Sequence, residues 1–124
     1  MKTYYVTTPI YYLSGNPHIG HTYTTVAADV MARYKKAQGY DVKFLTGADE
    51  HGIKVEQAAE AAGVTPQAFV DALADKSIAL WELMDCQYDF YQRTTNPAHM
   101  DGVKKIFKKL FDQGDIYKGS YDGL

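Results

Sequence analysis

The sequence predicts an α/β fold with parallel strands and flanking helices. Residues 4–8 and 42–46 are short β-branched and aromatic segments, which are typical of strands. Between them, apolar residues recur at helical spacing from Tyr23 to Tyr34, and Gly39 follows at a position that suits a helix end. A strand, a long helix and another strand form a β-α-β unit, in which the crossover is right-handed and the strands are parallel.

The ends of these elements are marked by proline and glycine. Pro9 is predicted to close the first strand and Gly47 the second, and a loop of turn-forming residues follows Pro9. The helix between the strands is predicted to bury one apolar stripe. Its members are Tyr23, Val26, Ala27, Val30, Met31 and Tyr34.

The remaining chain is predicted to be mostly helical. One helix covers residues 53–62, and a second opens at Thr65–Pro66, a good N-cap followed by proline in the first turn. An extended segment over residues 88–91 leads to a last helix that opens at Asn96–Pro97. The apolar side of the second helix comprises Phe69, Leu73, Leu80 and Met84, and the buried stripe of the last comprises Val103, Ile106, Phe107, Leu110 and Phe111.

Composition limits the function classes. The 124 residues suit one domain, and the net charge of −2 lacks the basic footprint of a dedicated nucleic-acid-binding domain. Cys86 is the single cysteine, so an internal disulfide is excluded and a reducing compartment is expected. No signal peptide or membrane span is predicted, and we expect a cytoplasmic location.

Two polar clusters follow the ends of the predicted strands. They cover residues 14–21 and 47–52. Ligands of parallel sheets bind at the carboxyl ends of the strands, so we expect the two clusters to share one cleft.

The segment around His18 and His21 suits a phosphate group. A helix N-terminus offers unpaired N–H groups and a positive dipole end. With His18 just before that end and His21 just inside it, two ring N–H donors would join the backbone donors. Gly20 has no Cβ and allows a ligand to approach the backbone closely.

The histidine spacing by itself leaves two other interpretations open. The pair can be exposed side chains of a first helical turn. It can also be part of a metal site with Asp49 and His51, although zinc usually takes further cysteine, histidine or carboxylate ligands and no cysteine pair is present.

A family resemblance favours the phosphate interpretation. The residues His18–His21 spell HIGH, which resembles the signature of class I aminoacyl-tRNA synthetases. The flanking segments closely resemble the methionyl-tRNA synthetases, over nearly the whole chain and most densely from Tyr5 to Lys54. These segments are PIYYLSGNPHIGHTYT, ADVMARY, FLTGADEHG and RTTNPAHMDGVKKIFKKLFDQGDIYKGSYDG.

The resemblance implies a Rossmann-type catalytic domain split by an insertion. Such enzymes use ATP, supplied with Mg²⁺, to convert methionine to an adenylate. They then transfer the activated methionine to tRNA(Met). Carried over by position, His18 and His21 would hold the ATP phosphates and stabilise the transition state of adenylate formation. Gly20 would lie against the nucleoside.

The resemblance also implies an amino-acid site. Asp49 would bind the ammonium group of methionine, and Ile10 and Tyr12 would line the methionine pocket. Adenylate formation needs no general base because the attacking carboxylate is already ionised, so Glu50 and His51 receive no catalytic role. His99 receives no role either.

Three further features are interpreted as structural. Asp29 is expected to be solvated or to support the site indirectly, and Cys86 to be a small packed residue. The lysines of the last helix either contact the acceptor end of a tRNA or form a solvated face, and the second interpretation is favoured. They are Lys104, Lys105, Lys108 and Lys109.

Parts of the resembled family have no counterpart in these residues. They are the KMSKS-like lysine loop, the cysteine pairs of a zinc knuckle and the second half of the nucleotide fold. We therefore expect residues 1–124 to be the N-terminal half of the catalytic domain, ending near the inserted domain, with any zinc in the missing insertion and no metal here. Such a fragment is expected to self-associate and to lack turnover.

Two alternative functions stay open. The chain can be a stand-alone module that binds a nucleotide or an amino acid. It can also belong to a different class I synthetase, such as one for a branched-chain amino acid, although the PIYY and TGADEHG flanks argue against this.

Overall fold

A computed structural model describes residues 1–120, which form eight elements. In chain order these are β1 (Thr3–Thr7), β2 (Tyr11–Tyr12), α1 (Ile19–Ala37), β3 (Asp41–Asp49), α2 (Ile53–Ala61), α3 (Pro66–Leu83), β4 (Phe90–Arg93) and α4 (Pro97–Asp112). They fall into two compact units, Met1–Thr94 and the residues from Thr95 onward. Among the described helices, none is long and apolar enough to cross a membrane.

The sheet of the first unit is parallel and is built around β3. β1, β2 and β4 each pair with β3 in parallel. This arrangement, with helices between the strands, confirms the predicted α/β class with parallel strands and flanking helices.

β1 and β2 lie one after the other along the same side of β3. Leu45 pairs with both Thr7 and Phe90, and Ala48 pairs with both Tyr11 and Arg93, so β4 occupies the opposite side along its whole length. Pro9 separates β1 from β2 because proline cannot donate a ladder hydrogen bond. The sequence pattern predicted a loop here and missed β2, which has only two residues.

β3 runs three residues past its predicted last residue, Thr46. It extends from Asp41 to Asp49, so Gly47 lies inside the strand and the prediction that Gly47 ends it is wrong. A Cβ on Gly47 would collide with the backbone of Gln92 in β4. The glycine therefore permits the close approach of two strands, a role that glycine also takes in strands.

α1 buries a different face from the predicted one. The residues against the sheet are Thr25, Ala28, Asp29 and Ala32. Val30 and Tyr34 of the predicted stripe are 60% and 55% exposed. The smaller side chains allow the helix to lie close to β1 and β3, and this packing overrides the apolar periodicity.

α3 is also rotated relative to its prediction. Leu73 is buried and Phe69 packs against the core as expected, but Met84 lies beyond the helix and is 42% exposed. The buried face includes Val70, Ala74, Ser77 and Trp81, of which Trp81 is completely buried.

Side chains of the sheet alternate between a packed face and an exposed face. Tyr4, Val6, Val42 and Phe44 pack with Ala28 and Ala32 of α1 in one apolar cluster. A second cluster joins Leu13, Ala48, Val55, Val70, Leu73 and Ala74. Tyr5 and Phe90, which belong to the alternate set of positions, are 63% and 60% exposed.

The second unit contains α4, whose predicted stripe is not buried. No residue of the helix is buried, and Ile106 is 64% exposed. The helix begins as predicted, with Asn96 accepting from the Ala98 N–H as N-cap. The predicted domain end at Leu124 lies outside the described residues.

The strand contact at Gly47 generates a prediction for stability. Gly47→Ala is expected to lower the free energy of unfolding by about 3 kcal/mol, because the methyl group forces β3 and β4 apart. Urea unfolding followed by fluorescence of Trp81, the only tryptophan, measures the change. Gly15→Ala is the matched control, since its methyl meets no atom within 4 Å. Equal stability of the two variants would contradict the proposed strand contact.

Candidate functional site

The two histidines of the HIGH segment cap the first helix. His18 is the N-cap residue of α1, and its Nδ1 accepts from the Gly20 N–H at 3.1 Å. His21 lies in the first turn, and its Nδ1 accepts from the His18 N–H at 3.1 Å. This confirms the predicted placement of His18 just before the helix and His21 just inside it. In a usual capping box, serine or threonine and a glutamate make these reciprocal bonds.

The capping bonds fix the protonation of both rings. A nitrogen that accepts a hydrogen bond carries no proton, so each neutral ring holds its hydrogen on Nε2. The two ring centroids are 4.0 Å apart. Burial, and then the neighbouring His18 ring, lower the pKa of His21 below the ordinary 6.5. The pair therefore presents hydrogen-bond donors without requiring a full positive charge.

The caps change the expected role of the backbone donors. The N–H groups of His18 and Gly20 already donate to ring nitrogens, and the His21 N–H donates to the His18 carbonyl at 2.9 Å. These groups are not available to a phosphate as the histidine rings stand. The capping bonds leave the Nε2–H groups of both rings unused.

Gly20 is required by the cap itself. A Cβ there would lie 2.9 Å from Cε1 and 3.1 Å from Nδ1 of the His18 ring. A larger residue would push the ring away from the Gly20 N–H. This is a second reason for glycine, beside the predicted close approach of a nucleoside.

β2 brings the predicted amino-acid residues to the end of β3. Tyr12 and Asp49 are register partners, and the Leu13 N–H donates to the Asp49 carbonyl at 3.4 Å. Ile10 and Tyr12 expose 57% and 66% of their surfaces, while Tyr11 between them turns inward. Asp49 is half-buried, and its Oδ1 accepts from the His51 N–H at 3.4 Å.

Two adjoining cavities connect the polar clusters. One, of about 400 Å³, is lined by residues of β2, the following loop and the histidine pair. The other, of about 500 Å³, is lined by His51 and the start of α2. Tyr12 and Ser14 line both. The two clusters therefore line two neighbouring cavities, with Tyr12 and Ser14 at the boundary, where a single shared cleft was predicted.

Glu50 holds the turn after Asp49. Its side chain is buried and accepts from Arg93 Nε at 2.6 Å, and Arg93 also pairs with Asp71 at 2.5 Å. The Glu50 N–H donates to the Thr94 hydroxyl at 2.9 Å. Glu50 therefore belongs to the support of the site, whereas the exposed His51 lines a cavity wall.

Other polar residues support the first unit. Asp29 is buried, so the solvated alternative for it is wrong: it accepts from Arg33 at 2.6 Å and from the Gln87 N–H at 2.7 Å. Cys86 is packed as expected, and burial raises the pKa of its thiol. Among residues 1–120, no three histidine, cysteine or acidic side chains are grouped so as to hold a metal ion.

Sequence reasoning missed Tyr11, although it lies inside the quoted PIYY segment. Its hydroxyl lies 2.7 Å from Thr24 Oγ1 and 2.9 Å from Thr25 Oγ1, and its ring packs edge-on against His21. The available signal was the alternation of a strand, which places Tyr11 on the face opposite Ile10 and Tyr12. Because β2 was not predicted, this alternation was not applied to Tyr11.

Fold and site define a Rossmann-type catalytic domain of the class I synthetase kind. The chain belongs to the family tRNA synthetases class I (M), whose profile matches residues 4–124. The family predicted from the HIGH segment and its flanks is thereby confirmed.

Relatives with high identity agree with this family. Methionine–tRNA ligase 1 of Bacillus anthracis is 59% identical over 122 residues, and the match covers 98% of this chain and 18% of that protein. The methionine–tRNA ligase of Clostridium tetani is 55% identical, with coverage of 98% and 19%. The chain thus spans about one fifth of the length of these relatives.

Solved structures show the same fold. Methionyl-tRNA synthetase of Mycobacterium tuberculosis, in complex with methionyl-adenylate, has a TM-score of 0.91 at 44% identity; the match covers 94% of this chain and 23% of that one. LeuRS of Agrobacterium radiobacter K84, in a ternary complex with tRNA and LeuAMS, has a TM-score of 0.88 at 30% identity, with coverage of 94% and 15%.

The capping box generates a prediction for the histidine rings. ¹⁵N-detected NMR at pH 7.5 is expected to show hydrogen on Nε2 in both His18 and His21. Because the pKa of His21 is lowered in the folded chain, its stabilising effect is complete above 6.5 and is lost as pH falls through the folded pKa. Its titration midpoint is therefore expected below 6.5, and His21→Gln assigns the signal. Hydrogen on Nδ1, or a midpoint above 6.5, would contradict the capping arrangement.

Proposed function

We propose that this chain supplies the ATP-binding and methionine-binding part of a methionine–tRNA ligase. The observation that carries the proposal is the pairing of Tyr12 with Asp49 beside the cavity that His18 and His21 line. An amino-acid site and a phosphate site are thereby neighbours. We also infer that residues 1–124 form the N-terminal half of the catalytic domain and end near its inserted domain.

The histidine pair acts on the phosphates of ATP, which enters as its magnesium complex. In adenylate formation, a carboxylate oxygen of methionine attacks the α-phosphorus and pyrophosphate leaves. Negative charge grows on the phosphate oxygens during this step, and fixed donors stabilise it. The Nε2–H groups of His18 and His21 are such donors, and Gly20 leaves room for the nucleoside.

Asp49 binds the ammonium group of methionine. A half-buried carboxylate at the end of β3 is a suitable partner for a cation because a charge-assisted hydrogen bond is stronger than a neutral one. Ile10 and Tyr12 provide apolar surface for the thioether chain. No group in this set is required to remove a proton, since the attacking carboxylate is already ionised.

The complete enzyme then transfers the methionyl group of the adenylate to a terminal ribose hydroxyl of tRNA(Met), and AMP leaves. Protein synthesis places this activity in the cytoplasm, where a single buried thiol such as Cys86 stays reduced. The lysines of α4 remain a solvated face in this proposal. Zinc, where the complete enzyme uses it, is bound outside this chain.

One assay distinguishes this proposal from the two alternative functions, a stand-alone binding module and a branched-chain enzyme. A stand-alone binding module would bind ATP or methionine and support no exchange in any context. A branched-chain enzyme would respond to leucine, valine or isoleucine, and the likeness to LeuRS keeps this comparison relevant. The assay is ATP–pyrophosphate exchange by a chimera, in which this chain replaces the matching segment of the Bacillus anthracis relative. Methionine is expected to be the only one of these amino acids that stimulates exchange.

We further propose that the chain in isolation self-associates and does not turn over. Tyr5 and Phe90 leave apolar surface exposed on one face of the sheet. A parallel sheet is normally covered on both faces.

His21→Ala tests the role of the histidines in the chimera. One lost donor of this kind costs about 2.7–4 kcal/mol, so kcat for exchange is expected to fall about 10²- to 10³-fold. The KM for ATP should change only a few-fold, because the donor acts mainly on the transition state. His99→Ala, in the second unit, is the control. An unchanged kcat with a much higher KM for ATP would reduce His21 to ground-state binding.

Asp49→Asn tests the ammonium site. The change keeps the shape and removes the charge, and loss of a charge-assisted bond of about 1.5–3 kcal/mol corresponds to a KM for methionine raised about 10- to 100-fold. The KM for ATP should stay within a few-fold. Asp41→Asn is the control, because Asp41 is exposed at the opposite end of the same strand. An equal rise of both KM values would indicate a structural turn instead.

A further inference from the structure

Tyr11 forms the one side-chain bridge described here between β2 and the first turns of α1. Its hydroxyl oxygen lies 2.7 Å from Thr24 Oγ1, 2.9 Å from Thr25 Oγ1 and 3.4 Å from the His21 carbonyl oxygen. Thr25 is completely buried. The bridge therefore joins the strand that carries Tyr12 to the helix turn that carries His21.

The hydrogens of the three hydroxyls can be assigned from their partners. Carbonyl oxygens only accept, and Thr24 Oγ1 lies 3.1 Å from the carbonyls of both Gly20 and His21. Thr24 therefore donates into the helix turn. The Tyr11 hydroxyl donates to Thr24 Oγ1 at 2.7 Å and, over a longer distance of 3.4 Å, to the His21 carbonyl, and its oxygen is free to accept from Thr25. This row of hydrogen bonds gives each of the three hydroxyl groups a partner and ends at the carbonyl oxygens of Gly20 and His21.

The Tyr11 ring holds His21 from a second direction. The two rings meet edge-on with centroids 4.8 Å apart and planes at 78°. The other side of Tyr11 meets Trp81 at 5.9 Å between centroids. Two contacts thus set the direction of His21 Nε2. The Tyr11 ring packs against the imidazole, and the His18 N–H donates to its Nδ1.

We propose that Tyr11 is a positioning residue that sets the distance between the methionine site on β2 and the ATP site on α1. β2 forms only two register pairs with β3, so backbone pairing alone constrains it weakly. The inference rests on the proposed function, and it assigns the Tyr11 hydroxyl to the support of the helix turn and not to a substrate. Tyr11 acts through Thr24 and His21.

Loss of the hydroxyl is expected to affect kcat rather than substrate affinity. The reacting carboxylate and α-phosphorus must approach to about 3–3.5 Å, and a displacement of about 1 Å can cost roughly 10²-fold in rate. Each substrate still meets its own binding residues in Tyr11→Phe. We expect kcat for methionine-dependent exchange in the chimera to fall 10- to 100-fold, with both KM values within about threefold.

The controls separate positioning from general stability. Tyr5→Phe removes a hydroxyl from an exposed tyrosine of β1 and is expected to leave exchange unchanged. Thr24→Val breaks the same chain of hydroxyls from the helix side. The double variant Tyr11→Phe/Thr24→Val should then be no slower than the worse single variant, because both changes remove one linkage. Assays at 25 °C, well below the unfolding temperature of each variant, exclude loss through unfolding.

A second measurement, on residues 1–124 outside the chimera, tests the role of Tyr11 independently of the proposed function. Amide hydrogen exchange of residues 19–25 is expected to become at least tenfold faster in Tyr11→Phe and to stay unchanged in Tyr5→Phe. Unchanged exchange in this turn, or a chimera whose kcat is unaffected by Tyr11→Phe, would overturn the role of Tyr11. A wild-type chimera without methionine-dependent exchange would overturn the proposed function, and the amide exchange would still test the bridge.

Discussion

The pairing of β2 with the end of β3 fixes the positions of the other site residues. β3 extends to Asp49 because Gly47 admits β4 on one side, and the extension gives β2 a partner on the other side. Tyr12 is thereby placed next to Asp49, and the loop that follows leads directly into the cap of α1. If β3 ended at Thr46, as the turn residues predicted, β2 would have no partner strand. The residues of the methionine site and the histidine pair at the start of α1 would then have no fixed position.

The two histidines at the N-terminus of α1 combine a structural role with a chemical one. An imidazole Nδ1 is as many bonds from Cα as the side-chain oxygen of asparagine, a preferred N-cap residue, so His18 reaches the Gly20 N–H in the same way. Using Nδ1 for the cap leaves Nε2–H pointing away from the helix. A serine cap would complete the helix equally well and would offer no second donor to a phosphate.

Local rules predicted most element types, and tertiary contacts determined what they missed. His18 before the helix, Gly39 after it and Pro66 in the first turn of α3 are all where capping rules place them. The buried face of α1 was missed because Ala28 and Ala32 fit against the sheet better than Val30 and Tyr34, which no periodicity reveals. Tyr11 was missed because a strand of two residues leaves no pattern, and the ion pair of Glu50 with Arg93 joins residues 43 positions apart.

Methionine and the ATP phosphates are expected to bind side by side on one surface of this chain. A crystal structure of the chimera with a methionyl sulfamoyl adenosine, whose sulfamoyl group replaces the phosphate of the adenylate, tests this arrangement. We expect the ammonium group on the Asp49 carboxylate, the thioether chain against Tyr12 and the sulfamoyl oxygens on Nε2 of His18 and His21. An analogue bound with its ammonium group away from Asp49, or with both Nε2 atoms out of contact, would contradict it.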